Sequence, residues 1–111
     1  MSERRKEKLS ELYKRAATSF LRDNIILENG IFSVTQVELA DKLNRLTIYF
    51  SVWPDQKEGD VIKFLESLKK GLRKELGDVV KTRTVPEVKF ILDDSEKKRL
   101  RIDELLKQGE K

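Results

Sequence analysis

The sequence predicts an α+β domain in which a single three-stranded sheet carries its helices on one face. Its 111 residues suit one domain, since domains most often hold about 100–150 residues. Apolar residues recur at helical spacing in two segments and alternate at strand spacing in three others. The segments follow one another as helix, strand, strand, broken helix and strand, and stacking the helices on one side of the sheet buries every apolar face economically.

Both helical segments are amphipathic. The apolar residues of the first predict a helix over about residues 4–22. The second begins after Pro54 and keeps helical spacing as far as Leu76. Because a glycine inside a helix costs about 1 kcal/mol relative to alanine, Gly71 predicts a kink or the close approach of another backbone, with a tolerated surface glycine as the equal alternative. Gly77 is expected to end the helix or to break it again.

Three segments have the composition and alternation of strands. Residues 31–39 form the first, in which the apolar alternation changes phase after Val34, and a β-bulge would explain the change. Residues 45–52 alternate cleanly and complete an antiparallel hairpin. Residues 84–92 form the third strand, with Pro86 near its start. A helix connects the second strand to the third, so the sheet can be parallel there or mixed.

The chain contains no histidine and no cysteine. This removes the commonest general base, a leading nucleophile and the usual zinc ligands. No glycine-rich phosphate loop or nucleophile elbow occurs, and Asp93-Asp94 is explained better by a helix start than by a metal site. The sequence therefore predicts a protein that binds no metal through these residues and is not an enzyme.

Basic residues are concentrated in one window. The net charge of +4 and the pI of about 9.3 are by themselves a weak sign of polyanion binding. Residues 69–83 hold six bases and two acids, so this window carries the net charge of the whole chain. It is the first place to expect a phosphate backbone, and a merely solvated surface is the alternative for each residue. The candidate RNA contacts are Lys69, Lys70, Arg73, Lys74, Lys81 and Arg83, with Arg4, Arg5 and Lys6 as secondary candidates.

A few aromatic residues could stack on bases. Trp53 precedes Pro54 at a strand end, where a stacking role is conceivable. We favour a role in covering the end of the core, because large aromatic rings do this more often. The same preference applies to Tyr13 and Tyr49.

The sequence also bears on location. No stretch approaches the roughly 18 consecutive apolar residues that a membrane span needs, and the first residues are charged rather than apolar. The absence of cysteine suits a reducing compartment. We expect a soluble, cytoplasmic, monomeric protein with no membrane partner.

Several segments resemble a known family, in order and at matching spacing. Residues 34–39 and 46–52 look like the hairpin of the ribosome-binding factor A family, in which a VTxVEVSxDL strand leads to an xxAKVYVSV strand. Residues 84–95 (TVPEVKFILDDS) are similar to its VPELxFxxDxS segment, the most specific piece. Leu76-Gly77 and residues 101–106 (RIDELL) resemble the family's LG and its closing RIEELL. The resemblance covers nearly the whole chain.

This resemblance implies both a fold and a function. The fold is a type II KH-like domain over residues 1–94 in the order α-β-β-α(kink)α-β, followed by a C-terminal tail, residues 95–111, that is a short helix or partly disordered. The kinked junction replaces the Gly-x-x-Gly loop of other KH domains and would fall at Gly71. Family members are ribosome biogenesis factors that bind the free small (30S) ribosomal subunit and its 16S rRNA near the junction of head and body. They assist late rRNA maturation and processing, notably in the cold, without enzymatic activity, cofactor or small-molecule substrate.

Three segments depart from the family pattern. Residues 26–30 replace the family's DPRLG, of which only Gly30 is kept, so no role of the missing aspartate and arginine carries over. The glycine of the family's AxG junction would fall on Lys70, which places the expected kink one residue later or makes it shallower. Residues 40–42 replace SxD, and only Leu43 of that connection is kept.

Two other functions are open at this stage. A general KH-type RNA-binding protein without a ribosomal role would prefer short single strands, and the absence of Gly-x-x-Gly counts against it. A protein-interaction module whose charges only solubilise it would bind independently of salt. Phosphate contacts, by contrast, release counterions and weaken as salt rises.

Overall fold

A computed structural model describes residues 3–81 and 84–93. Arg83 and the predicted tail, residues 95–111, lie outside the described residues. In chain order the elements are α1 (Glu3–Asn24), β1 (Ile31–Leu39), β2 (Arg45–Trp53), a short 3-10 turn (Asp55–Lys57), α2 (Glu58–Val80) and β3 (Glu87–Leu92). The predicted α+β class and the order of its strands are confirmed.

The sheet is mixed, with β2 at its centre. β1 pairs with β2 antiparallel, and β3 pairs with β2 parallel. The long α2 crossover permits the parallel pair, because it carries the chain back to the end of the sheet where β2 begins. At that end the Glu87 N–H donates to the Asn44 carbonyl at 3.0 Å. The sequence had left the parallel and mixed arrangements open.

One face of the sheet packs against both helices and forms the core. Every second residue of β2, from Leu46 to Val52, is buried. Opposite β2, α1 contributes side chains such as Tyr13 and Leu21, and α2 contributes Leu65, Leu72 and Leu76. Each buried aliphatic or aromatic side chain is worth about 1.5–3 kcal/mol relative to leaving it exposed, so this single layer supplies most of the stability.

The phase change in β1 is a β-bulge. The pairing register with β2 shifts between Val34 and Gln36. Val34 pairs with Phe50, and Leu39 pairs with Leu46, so inward-facing residues of β2 oppose apolar residues of β1 on both sides of the shift. One extra residue, Thr35, therefore keeps all the apolar side chains of β1 on the core face. The predicted bulge is confirmed.

The expected kink does not divide α2. The helix runs without interruption from Glu58 to Val80, so the predicted pair of helical segments between β2 and β3 is corrected to one helix. A β-carbon built on Gly71 would lie 3.4 Å from the Phe20 ring, at ordinary contact distance. The close neighbour at Gly71 is thus an α1 side chain rather than another backbone. The helix ends three residues beyond Gly77, where Lys81 turns left-handed (φ 54°) and donates its N–H to the Gly77 carbonyl at 2.9 Å.

The two helices run antiparallel across the sheet. The C-terminal residues of α1 and the N-terminal half of α2 line one cleft, which includes Asn24 and Phe64. Leu12, nearer the start of α1, lies across a groove from Val79 at the end of α2. The first turns of α1, the β1–β2 turn, the end of α2 and the start of β3 therefore share one end of the molecule.

Candidate nucleic-acid interface

The outer face of α2 carries a row of exposed lysines. Lys63, Lys70 and Lys74, here called the lysine row, are separated by seven and four residues, so helical geometry places them within about 40° of one another. The row spans about 17 Å of helix at 1.5 Å per residue. It lies opposite the buried Leu65 and Leu72. Among the described residues, no partner forms an ion pair or hydrogen bond with these three ammonium groups, so they are available to a phosphate backbone.

Two of the predicted contacts, Lys69 and Arg73, lie instead on the flank of α2 that faces β3. The Lys69 ammonium is 2.9 Å from a Glu66 carboxylate oxygen and 5.8 Å from the centre of the Phe90 ring. The Arg73 guanidinium donates from Nε to the Pro86 carbonyl at 3.2 Å and from Nη2 to the Val85 carbonyl at 3.1 Å. Arg73 thus holds the segment that leads into β3. Lys69 and Arg73 both have partners, whereas the ammonium groups of the lysine row have none among the described residues.

Lys81 lies just beyond the lysine row. It is exposed, and its backbone forms the left-handed cap of α2. Its side chain can extend the row toward the end of the molecule that the start of α1 occupies. Arg83 lies outside the described residues, so its predicted role stays a prediction.

The secondary candidates begin α1 at that same end. Arg4 and Arg5 are exposed, whereas Lys6 is half-buried and pairs with Asp41 of the β1–β2 turn. The hydrogen bond from the Lys6 ammonium and its positive charge hold the pKa of the Asp41 carboxyl below its usual value. Lys6 therefore ties the first helix to the hairpin, and Arg4 is left pointing to solvent.

Sequence reasoning missed Lys63. The window of excess charge began at Lys69, so a lysine seven residues before Lys70 fell outside it. Helical spacing was the available signal, because seven residues are nearly two turns and return a side chain to the same face. The charge count instead grouped Lys69 and Arg73 with the row, although both lie on the flank of α2 that faces β3.

The outer face of the sheet has no comparable concentration of positive charge among the described residues. Arg45 and Lys89 share it with Glu38 and Glu87, so the two signs balance. The Tyr49 hydroxyl donates to Glu38 at 3.3 Å. Partial burial and the Glu38 charge raise the pKa of Tyr49 above its usual value. The helical side is thus the basic side of the described domain.

The three aromatic residues considered for base stacking occupy different environments. Tyr13 is buried in the core, as favoured, and Tyr49 is half-buried on the outer face of the sheet. Trp53 is 64% exposed, so the expectation that it covers the end of the core is wrong. It lies at the opposite end of the molecule from Lys81. Beside the lysine row, the described residues include one exposed ring, Phe64 (45% exposed), which follows Lys63 and lines a cleft with Ile25 and Ile26.

No helix in the described part of the chain is both long and apolar enough to cross a membrane. Residues 4–106 match the family model described as Ribosome-binding factor A. The ribosome-binding factor A of Halothermothrix orenii is 36% identical over 110 residues, covering 97% of this chain and 90% of the relative. That of Coprothermobacter proteolyticus is 32% identical over 108 residues, covering 96% of this chain and 79% of the relative.

Solved structures show the same fold. The crystal structure of ribosome-binding factor A from Thermus thermophilus matches with a TM-score of 0.66 at 20% identity, covering 78% of this chain and 93% of that one. A Thermus thermophilus ribosome binding factor A homology model, fitted into a cryo-EM map of a 30S complex, matches with a TM-score of 0.64 at 18% identity and the same coverage. At such identities the likeness concerns the fold alone, and it agrees with the predicted KH-like class.

Proposed function

The chain belongs to the ribosome-binding factor A family, and from this premise we propose that it is a ribosome biogenesis factor that binds the small ribosomal subunit through its rRNA. The Thermus thermophilus relative, described as part of a 30S complex, supports the choice of subunit. The observation in this chain that carries the proposal is the lysine row, which presents Lys63, Lys70 and Lys74 on the face opposite the core.

The chemistry of the lysine row suits phosphates better than bases. A lysine ammonium is a compact point charge that binds phosphate without the planar two-bond geometry that base reading usually requires. Contacts of this kind set position and orientation, and the shape of folded RNA supplies the selectivity. We therefore place Lys70 and Lys74 at the centre of the interface, with Lys63 and Lys81 on either side.

Co-sedimentation with purified small subunits tests this surface. The double variant Lys70→Glu/Lys74→Glu removes two positive charges and adds two negative ones, and we expect it to bind subunits at least about tenfold more weakly. Both side chains are exposed, so the fold should be kept, which circular dichroism can check. Lys14→Glu/Lys89→Glu is the matched control, because it reverses two exposed lysines that lie off the lysine row. Equal binding by the double variant and the wild type would remove the lysine row from the interface.

The same assay, run with joined ribosomes and with short single-stranded RNA, tests the function itself. Binding to free small subunits that exceeds binding to the other two supports an assembly factor. Preference for single strands would support a general KH-type RNA-binding protein. Failure of the wild type to bind subunits at low salt would overturn the proposal.

The finer role we propose is assistance in late maturation and processing of 16S rRNA, with a larger effect in the cold, by a cytoplasmic monomer. Expression of the chain in a bacterium that lacks its own ribosome-binding factor A should reduce accumulation of the 16S precursor and restore growth at low temperature. The Lys70→Glu/Lys74→Glu variant should restore neither. Rescue by that variant would mean that the cellular role does not require the lysine row.

A further inference from the structure

We infer that α1 carries a second row of phosphate contacts, and that the two helices together fit the two backbones of a double-helical RNA segment. The second row, here called the α1 row, consists of Arg4, Lys8, Arg15 and Arg22. The inference rests on the proposed function and deepens it, because it names the form of RNA that the helical face takes.

The α1 row follows from the periodicity of the helix. Its members are separated by four, seven and seven residues, so they fall within about 40° of one another and span about 27 Å of helix. All four are exposed, and they lie opposite Ala17 and the other buried residues of α1. Arg15 pairs with Glu11 at 3.3 Å, and such an exposed pair is worth little and yields readily to a phosphate.

The two rows lie side by side on the same side of the molecule. α1 and α2 both cover one face of the sheet, and the Phe20 ring lies against Gly71 where the helices approach each other. Packed helices have axes about 8–10 Å apart. The lysine row and the α1 row both point away from the sheet, so they form two roughly parallel tracks of positive charge at about that separation or slightly more.

The groove between the tracks does not suit a phosphate chain. Its exposed apolar residues are Leu12 (47% exposed) and Val79 (52% exposed). Two carboxylates, those of Asp23 and Glu75, line it against one guanidinium, that of Arg15. Two carboxylates and two aliphatic side chains repel or fail to solvate a phosphate. A single backbone seated between the helices is therefore disfavoured, whereas two separate backbones that each follow one track avoid the acidic groove.

The composition of the tracks also favours paired over unpaired RNA. Sites for single strands usually stack bases on several aromatic rings, and among the described residues only one exposed ring, Phe64, lies beside the tracks, in a cleft with Ile25 and Ile26. The Phe20 ring is turned onto Gly71 and packs with the core. Double-helical RNA conceals its base faces and presents two rows of phosphates, so charge and spacing are the features that can recognise it.

Binding to a blunt RNA duplex of about 16 base pairs, and to one of its strands alone, tests the inference. We expect the wild type to prefer the duplex. The double variant Lys8→Gln/Arg22→Gln should bind the duplex about tenfold more weakly and lower the slope of log affinity against log salt by about two. The control Lys14→Gln/Lys89→Gln removes two exposed lysines that lie off both tracks, and it should bind as the wild type does.

Small subunits in the same experiment separate the two hypotheses. Suppose that the wild type binds subunits, and that the Lys8→Gln/Arg22→Gln variant binds duplex and subunits as tightly as the control does. The α1 row then makes no phosphate contacts, and the proposed function stands. If the wild type binds subunits but prefers the single strand to the duplex, the inference that the helical face binds double-helical RNA is wrong. If the wild type binds neither subunits nor duplex, the proposed function fails and the inference fails with it.

Discussion

At Gly71 the prediction made from the sequence differs from what the structure shows. As a glycine in mid-helix it suggested a kink, yet α2 continues through it, and the Phe20 ring stands at ordinary contact distance. We expect Gly71→Ala to leave the fold intact and to raise the free energy of unfolding by up to about 1 kcal/mol, the helix-propensity difference between the two residues. Urea denaturation followed by circular dichroism measures this. A loss of more than that amount would mean that the glycine is needed for a bend.

Gly30→Ala is the matched comparison. A β-carbon there would lie 2.8 Å from the Trp53 carbonyl oxygen and 3.1 Å from the Lys57 side chain. The first of these neighbours is a backbone atom, which can move only if the strand moves. We therefore expect the free energy of unfolding to fall by about 1–3 kcal/mol. Gly30 is also the one residue kept from the family's DPRLG segment, and lack of space gives a physical reason for it.

Arg73 has a structural role, and its predicted RNA contact stays a prediction. Its two hydrogen bonds to the Val85 and Pro86 carbonyls join α2 to the segment before β3. Because hydrogen bonds to charged groups contribute about 1.5–3 kcal/mol, we expect Arg73→Ala to lower the free energy of unfolding by about 1–3 kcal/mol. Lys74→Ala, one residue later and exposed, should change it by less than about 0.5 kcal/mol. Equal effects of the two substitutions on denaturation would contradict this assignment.

At the scale of elements, the bulge in β1 decides which side chains reach the core. Thr35 is the extra residue, and its hydroxyl also donates to Asp93 at 2.7 Å. Side chains alternate along a strand, so deleting Thr35 turns one half of β1 over. Either Val37 and Leu39 move to the outer face, or the apolar residues before the bulge do. We expect the deletion to cost about 3 kcal/mol or more, the burial of two aliphatic side chains.

Thr35→Ala separates the register from the hydrogen bond. It removes the bond to Asp93 and keeps the residue count, so it should cost only about 1 kcal/mol. Denaturation midpoints of the two variants compare the effects directly. If the deletion were no worse than the alanine variant, the strand would have another way to keep its register.

α2 combines three separate tasks on its different sides. Its inner side fills the core, its β3-facing flank holds the chain before β3 through Arg73, and its outer side carries the lysine row. A helix can do this because successive residues point about 100° apart. Substitutions on neighbouring positions of α2 should therefore have unrelated effects, on stability in one case and on RNA binding in the next.

At the scale of the whole molecule, the number of phosphate contacts can be counted by salt dependence. Each contact releases counterions and adds about 0.7–0.9 to the slope of log affinity against log salt. The lysine row alone predicts a slope of about −2 to −3 for binding to duplex RNA, and both rows together predict about −5 to −6. Titrations at several salt concentrations measure it. Binding that did not respond to salt would favour a protein-interaction module.

The sequence by itself determined the α+β class, the bounds of β1, the bulge and the amphipathic character of both helices, because periods of 2 and 3.6 residues are local properties of the chain. It also placed positive charge in the second half of α2. Only the tertiary structure decided which charges are free. Lys69 and Arg73 turn toward β3, Lys63 joins the outer row, Lys6 pairs with Asp41, and Trp53 is exposed.

The physical reason is that these side chains are held by partners that are distant in sequence. The carbonyls that hold Arg73 lie 12 and 13 residues further on, and Asp41 lies 35 residues from Lys6. The neighbour that Gly71 meets, Phe20, likewise belongs to the other helix. Local patterns give the faces of each element, and the packing of elements then determines which face is buried, which is paired and which remains for a ligand.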